Sequence, residues 1–163
     1  MSSNEWNSLD RAQRELIEAA QRQMPVKIGA LAKAFGLNVL ASTLPAGISG
    51  EIRPVANSYQ IKVNRHDSAA RQRFTLAHEL AHFLLHRAEI GEGISDDVLY
   101  RSSLSDQREA QANRLAADIL MPLEIVRREA QARADMPRAD LIVDLAEFFS
   151  VSTVAMEIRL GFL

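Results

Sequence analysis

Cysteine is absent from the 163-residue chain, which excludes disulfides and thiolate metal sites and suits a reducing compartment. Long apolar runs are absent too. Nothing approaches the roughly 20 residues that a membrane span needs, and the opening Met1–Asp10 lacks the basic start and apolar stretch of a secretory signal. A soluble, cytoplasmic protein with no membrane attachment is therefore expected. Positive charge is not in excess either. Nineteen Lys and Arg face 21 Asp and Glu, for a net charge of -2, so no general attraction to phosphate backbones arises and nucleic acid is not expected as a direct partner. Internal repeats and low-complexity stretches are also missing. What remains is ordinary globular composition, 47% hydrophobic and 25% charged, in a chain long enough to bury a core without staples.

The hydrophobic pattern is that of an α+β domain that is mostly helical. Asn7 or Ser8 can cap a first helix running to about Gln23, and Val26 to Phe35 forms a second, stopped by Gly36. Three extended segments follow: Leu37 to Leu44, Ile48 to Arg53, and Tyr59 to Val63, where Tyr59, Ile61 and Val63 alternate with Gln60 and Lys62. They suggest a small antiparallel three-stranded sheet. Asp67 or Ser68 opens a long helix through His86, and Arg87 to Ser105 reads mostly as loop, with Val98 to Tyr100 extended. Ser103 or Ser105 starts another helix that Pro122 ends near Met121; helices to about Arg133, over Asp140 to Phe149 and over Ser152 to Leu160 complete the chain. A single domain over residues 1–163 is expected, with a catalytic core at about 37–122 and a helical C-terminal part at about 123–163.

The chemistry sits in Phe74-Thr-Leu-Ala-His78-Glu79-Leu-Ala-His82-Phe-Leu-Leu-His86. Two histidines four apart lie on one helical face, one turn from each other, so both can ligate one ion. At about 100° per residue, His82 falls about 40° from His78 and Glu79 about 100° from it. Glu79 can therefore act as general base on a water activated by the metal. Most other positions of this helix are apolar, so the helix is packed on most sides and the motif is its one polar stripe. A plain solvated stripe, the competing reading, would more readily carry Lys or Arg.

A catalytic zinc takes three protein ligands and keeps one position open. The best third candidate is Glu109, in Arg108-Glu-Ala-Gln-Ala-Asn113. It projects within the apolar arc of Leu115, Ile119, Ala112, Ala116 and Leu120, where an ionised carboxylate is costly unless paired. A metal would pair it, and so would a salt bridge to an arginine. Asn113, one turn on, could accept the free ring N–H of a ligating histidine, or simply mark the helix margin. His86 continues the four-residue spacing but lies about 12 Å along the axis from His78, so it reads as a structural histidine. His66, Tyr59 and Tyr100 are the remaining groups that could stabilise an oxyanion, and the sequence alone places none of them at the metal.

These residues resemble the ImmA/IrrE metallo-endopeptidases. The likeness rests on Arg73-Phe-Thr-Leu-Ala-His-Glu-Leu-Ala-His82, on Glu109-Ala-Gln-Ala-Asn113, and on Ala116-Ala-Asp-Ile-Leu-Met-Pro122. Leu115 stands where the family often has an aromatic. The resemblance implies a zincin-like fold with an active-site helix, His78, His82 and Glu109 as metal ligands, and Glu79 as the catalytic residue. It implies zinc, with manganese or another divalent ion as alternatives. The substrate it implies is a partner protein, a helix-turn-helix transcriptional repressor, cleaved in stress response or in mobile-element or toxin-antitoxin regulation. At this length no long fused DNA-binding or sensor domain is expected. Two other readings compete. A DNA-binding regulator is suggested by the cadence of Ile28 to Leu37 and Val143 to Ala155, but the would-be reading helix offers only Arg159 as a cation, and Glu157 would repel phosphate. A metal-stabilised binding module without turnover would have no need of Glu79.

Overall fold

The computed structural model describes residues 2–97 and 105–163. Its helices are α1 (Asn4–Ser8), α2 (Arg11–Ala20), α3 (Ile28–Ala34), α4 (Ala69–Leu85), α5 (Asp106–Leu120), α6 (Leu123–Gln131), α7 (Arg138–Phe149) and α8 (Thr153–Leu160). Its strands are β1 (Asn38–Ser42), β2 (Ile48–Val55), β3 (Ser58–Asn64) and β4 (Ile94–Asp97). The α+β class with a helical majority holds. The expected extended segment Val98 to Tyr100 lies outside the described residues.

Side-chain chemistry explains where most helices begin. Ser68, Ser105 and Ser152 each accept a backbone N–H from the first turn of α4, α5 and α8, which satisfies donors the helix leaves without an internal partner. The N-terminal helix expected from Asn7 or Ser8 starts later, as α2, and Asn7 and Ser8 instead end the short α1 ahead of it. The break falls at Leu9, buried and extended, and Asp10 caps α2 through a reciprocal box with Gln13. Gly36, at φ 83°, closes the turn after α3, where a side chain would meet its own backbone.

The sheet departs from the three antiparallel strands that the sequence suggests. It has four strands in the order β1-β3-β2-β4. β3 pairs antiparallel with β2, but β1 runs parallel to β3, from Asn38 opposite Gln60 to Ser42 opposite Asn64. After β1 the chain turns at Pro45 and Gly47 and skips one strand position. The β2–β3 hairpin then folds β3 back into the gap. The fourth strand, antiparallel to β2, comes from the stretch that reads as loop. Ile94 plugs it into the core at 2% exposure.

Helix α4 is wrapped by β2 and β3, by α3 and by α5. Leu76, Ala77, Leu80 and Ala81 of α4 join Ile52, Ile61, Leu115 and Ile119 in one buried cluster. The two segments with helix-turn-helix cadence are packed in part into the same cluster, through Ile28, Leu31 and Ala32 and through Leu145, Phe149 and Met156. The C-terminal helix is tied to α5 by a buried ion pair, Arg159 Nη2 to Asp118 Oδ1 at 2.8 Å, and Arg159 Nε donates to the Met121 carbonyl at 2.7 Å. Asp118 also accepts from Ser3, so one carboxylate joins both chain ends to the helix that carries Glu109.

Candidate metal centre

Two helices build the site. α4 delivers His78, Glu79 and His82 from its middle turns, and α5 delivers Glu109 from its first turns. The polar stripe of α4 is not solvated: His78, Glu79 and His82 are 0% exposed and Glu109 is 7% exposed. Burial of this kind is expensive for polar groups unless each finds a partner.

The three expected ligands converge. His78 Nε2 lies 3.0 Å from His82 Nε2 and 3.1 Å from Glu109 Oε2, and His82 Nε2 lies 3.3 Å from Glu109 Oε1. The imidazole planes stand at 89° to each other, so the nitrogens meet at a point rather than stacking. Asn113 Oδ1 sits 2.9 Å from His78 Nδ1. An amide oxygen there accepts the Nδ1–H hydrogen bond and leaves the Nε2 lone pair facing inward. Lone pairs of imidazole and carboxylate pointing at one another repel unless a cation sits among them. The nitrogen-and-oxygen donor set fits a divalent metal of the zinc type. Together His78, His82 and Glu109 could hold such an ion.

Strand β2 passes directly over this turn of α4. A methyl group at Gly50 would collide with Thr75 Cγ2 and lie 3.1 Å from Glu79 Oε1. An irregularity in the β2–β4 register falls between Ile48 and Gly50, as bulges often do beside functional sites. A glycine inside a strand is the sequence signal for such close approach, and the hydrophobic pattern alone passes over it. Gly50→Ala should destabilise the fold by about 1–3 kcal/mol, the usual effect of overpacking, and displace Glu79. Chemical denaturation, with cleavage measured on the folded fraction, checks this; wild-type values for both would show that the strand has room.

The other candidates lie elsewhere. His66 Nε2 is 3.0 Å from Thr43 Oγ1, at the turn between β3 and α4. Tyr59 packs edge-on against Phe83 with ring centroids 5.5 Å apart. Tyr100 lies outside the described residues. His86 is not part of the three-residue cluster; it sits behind it, with Nδ1 2.9 Å from His82 Nδ1. Burial pushes the His86 imidazole below its ordinary pKa.

Comparison with known proteins gives the same region a family. The model of the IrrE N-terminal-like domain, Peptidase_M78, matches residues 32–161, which takes in α4, Glu109 and Asn113. No curated protein matches the chain. Among solved structures, a Mycobacterium tuberculosis transcriptional regulator superposes with a TM-score of 0.53 and 19% identity. The match covers 87% of this chain and 45% of that one, less than half its length. At that identity the likeness is one of fold.

Proposed function

We propose that this chain, which belongs to the Peptidase_M78 family of IrrE N-terminal-like domains, is a zinc-dependent endopeptidase that cuts one partner protein. The observation that carries this is the meeting of His78, His82 and Glu109 at one buried point, with Glu79 adjacent in the same turn of α4. Zinc, when bound, acidifies water and polarises the scissile carbonyl. Manganese or another divalent ion could serve the same donor set.

Glu79 takes a proton from the attacking water and delivers it to the leaving amine. A Cβ at Gly50 of β2 would lie 3.1 Å from its Oε1, so the glycine leaves room for the carboxylate. Asn113 holds the His78 ring so that Nε2 faces the metal position. A site that only stabilised the fold would gain nothing from a buried general base.

Substrate docks in extended form along the outer edge of β4. The Tyr59 to Val63 strand, a candidate for that edge before the strand order is known, is β3 and is paired on both sides. β4 pairs with β2 at Gly50 opposite Asp96, so it flanks the strand that covers Glu79. Among the described residues no further strand lies beyond it. Strand addition would hold a peptide straight beside the metal. A complex with a peptide analogue should show main-chain pairing to Ile94–Asp97; a bound backbone away from β4 would contradict it.

The substrate is a helix-turn-helix repressor, and cleavage relieves repression under stress or during mobile-element or toxin-antitoxin control. The ImmA/IrrE likeness carried by Arg73 to His82 and by Glu109 to Asn113 supports this. Lack of cysteine fits a cytoplasmic site of action. Among the described residues no helix is long and apolar enough to cross a membrane. The test is incubation of the zinc-loaded protein with the repressor encoded nearest its gene. Mass spectrometry should find a single cut that disappears after chelation. An intact repressor, or a cut that survives full removal of metal, would overturn the assignment.

A further inference from the structure

We propose that His86 and Gln111 form a backing pair that orients the metal ligand His82. The inference rests on the metal-centre reading and adds to it two residues that hold no metal themselves.

The donors and acceptors can be followed from the surface inward. Arg108 is held by Glu89, with Nη2 to Oε1 at 2.9 Å. Its Nη1 approaches Gln111 Oε1 at 3.3 Å. Guanidinium only donates, so the atom it meets must be the amide oxygen rather than the amide nitrogen. That same oxygen lies 2.9 Å from His86 Nε2. Since the oxygen only accepts, His86 Nε2 carries a proton and donates it. In the neutral ring Nδ1 then keeps its lone pair. His86 Nδ1 faces His82 Nδ1 at 2.9 Å, so His82 Nδ1 donates and His82 Nε2 is left bare. That bare nitrogen is the atom 3.0 Å from His78 Nε2 and 3.3 Å from Glu109 Oε1.

Each histidine ligand is thus fixed from behind by an amide of α5. Asn113 serves His78 directly. Gln111, two residues earlier, serves His82 through the His86 ring. Spacing along α4 rules His86 out as a third histidine ligand yet places it one turn from His82, where a partner for Nδ1 must stand. His86 is 3% exposed, so water does not readily replace it.

A merely structural role for His86 would lower stability and leave the metal site unchanged. The test is zinc affinity by chelator competition, together with the visible spectrum of the cobalt-loaded protein, across three variants. His86→Leu should weaken zinc binding by about 10- to 100-fold, as loss of such a partner does, and alter the cobalt bands. His86→Asn places Oδ1 where Nδ1 stood and should restore most of the affinity and the spectrum. Gln111→Leu, at a partly exposed position, should shift both in the direction of His86→Leu. A folded His86→Leu with wild-type affinity and spectrum would overturn the proposal, as would an Asn variant no better than Leu. If His86→Leu does not fold, unchanged binding in Gln111→Leu overturns it equally. Wild-type protein that takes up neither zinc nor cobalt would instead refute the metal centre, and the backing pair with it.

Discussion

Replacing Glu79 with Gln is expected to leave the fold and the bound metal in place while cleavage falls at least 100-fold, in line with the ~10²–10⁴ contribution typical of a general base. The substitution keeps the size of the side chain that lies beside Gly50. It removes only the capacity to take a proton. Glu79 is not among the three residues whose donor atoms converge, so metal content should stay at the wild-type level. Single-turnover cleavage of a genuine substrate, with metal content and thermal unfolding measured on the same sample, separates these effects. A Gln variant that cuts at near wild-type rate would remove Glu79 from the mechanism. One that loses metal along with activity would make it a ligand.

Glu109→Ala should cost more metal affinity than any other single change outside the two histidine ligands, well beyond the ~10- to 100-fold expected for Asn113→Ala. Glu109 spans both rings, with Oε2 near His78 and Oε1 near His82. Its loss leaves two neutral nitrogens to hold a dication in a buried site, without the negative charge that offsets desolvation. Asn113 touches only the far nitrogen of His78, so its removal loosens one ring and deletes no ligand. His66→Ala should bind metal like wild type, because its ring is engaged with Thr43. Affinities by competition titration check the ranking. Wild-type binding in Glu109→Ala, with loss in His66→Ala, would mean that the third arm comes from elsewhere.

The cluster of His78, His82 and Glu109, which could hold a metal, is legible in the sequence because helices carry their geometry locally. A four-residue spacing puts His78 and His82 on one face whatever surrounds them, and Glu109 betrayed itself as a carboxylate within an apolar arc. Ser68 and Ser105, each one of two candidate caps in the sequence, stand at helix starts for the same reason. The sheet was less legible. Alternation in Tyr59, Ile61 and Val63 identifies a strand but carries no information on its neighbours, which are set by how β1, β2 and β3 pack on α4. β4 is four residues long with a single apolar member, Ile94, too little for a periodic signal. The part of His86 was hidden for another reason. Its distance from His78 along the helix axis says what it cannot ligate. Which ring nitrogen faces which partner depends on Gln111 and Arg108, which come from another helix.

The most direct measurement of the central claim is a crystal structure of the zinc-loaded protein with anomalous data on both sides of the zinc edge. One peak is expected, bonded by His78 Nε2, His82 Nε2 and a Glu109 oxygen at about 2.0–2.2 Å, with Glu79 beside it and unbound. No peak among these three side chains, or a peak held by other residues, would contradict the assignment of this site.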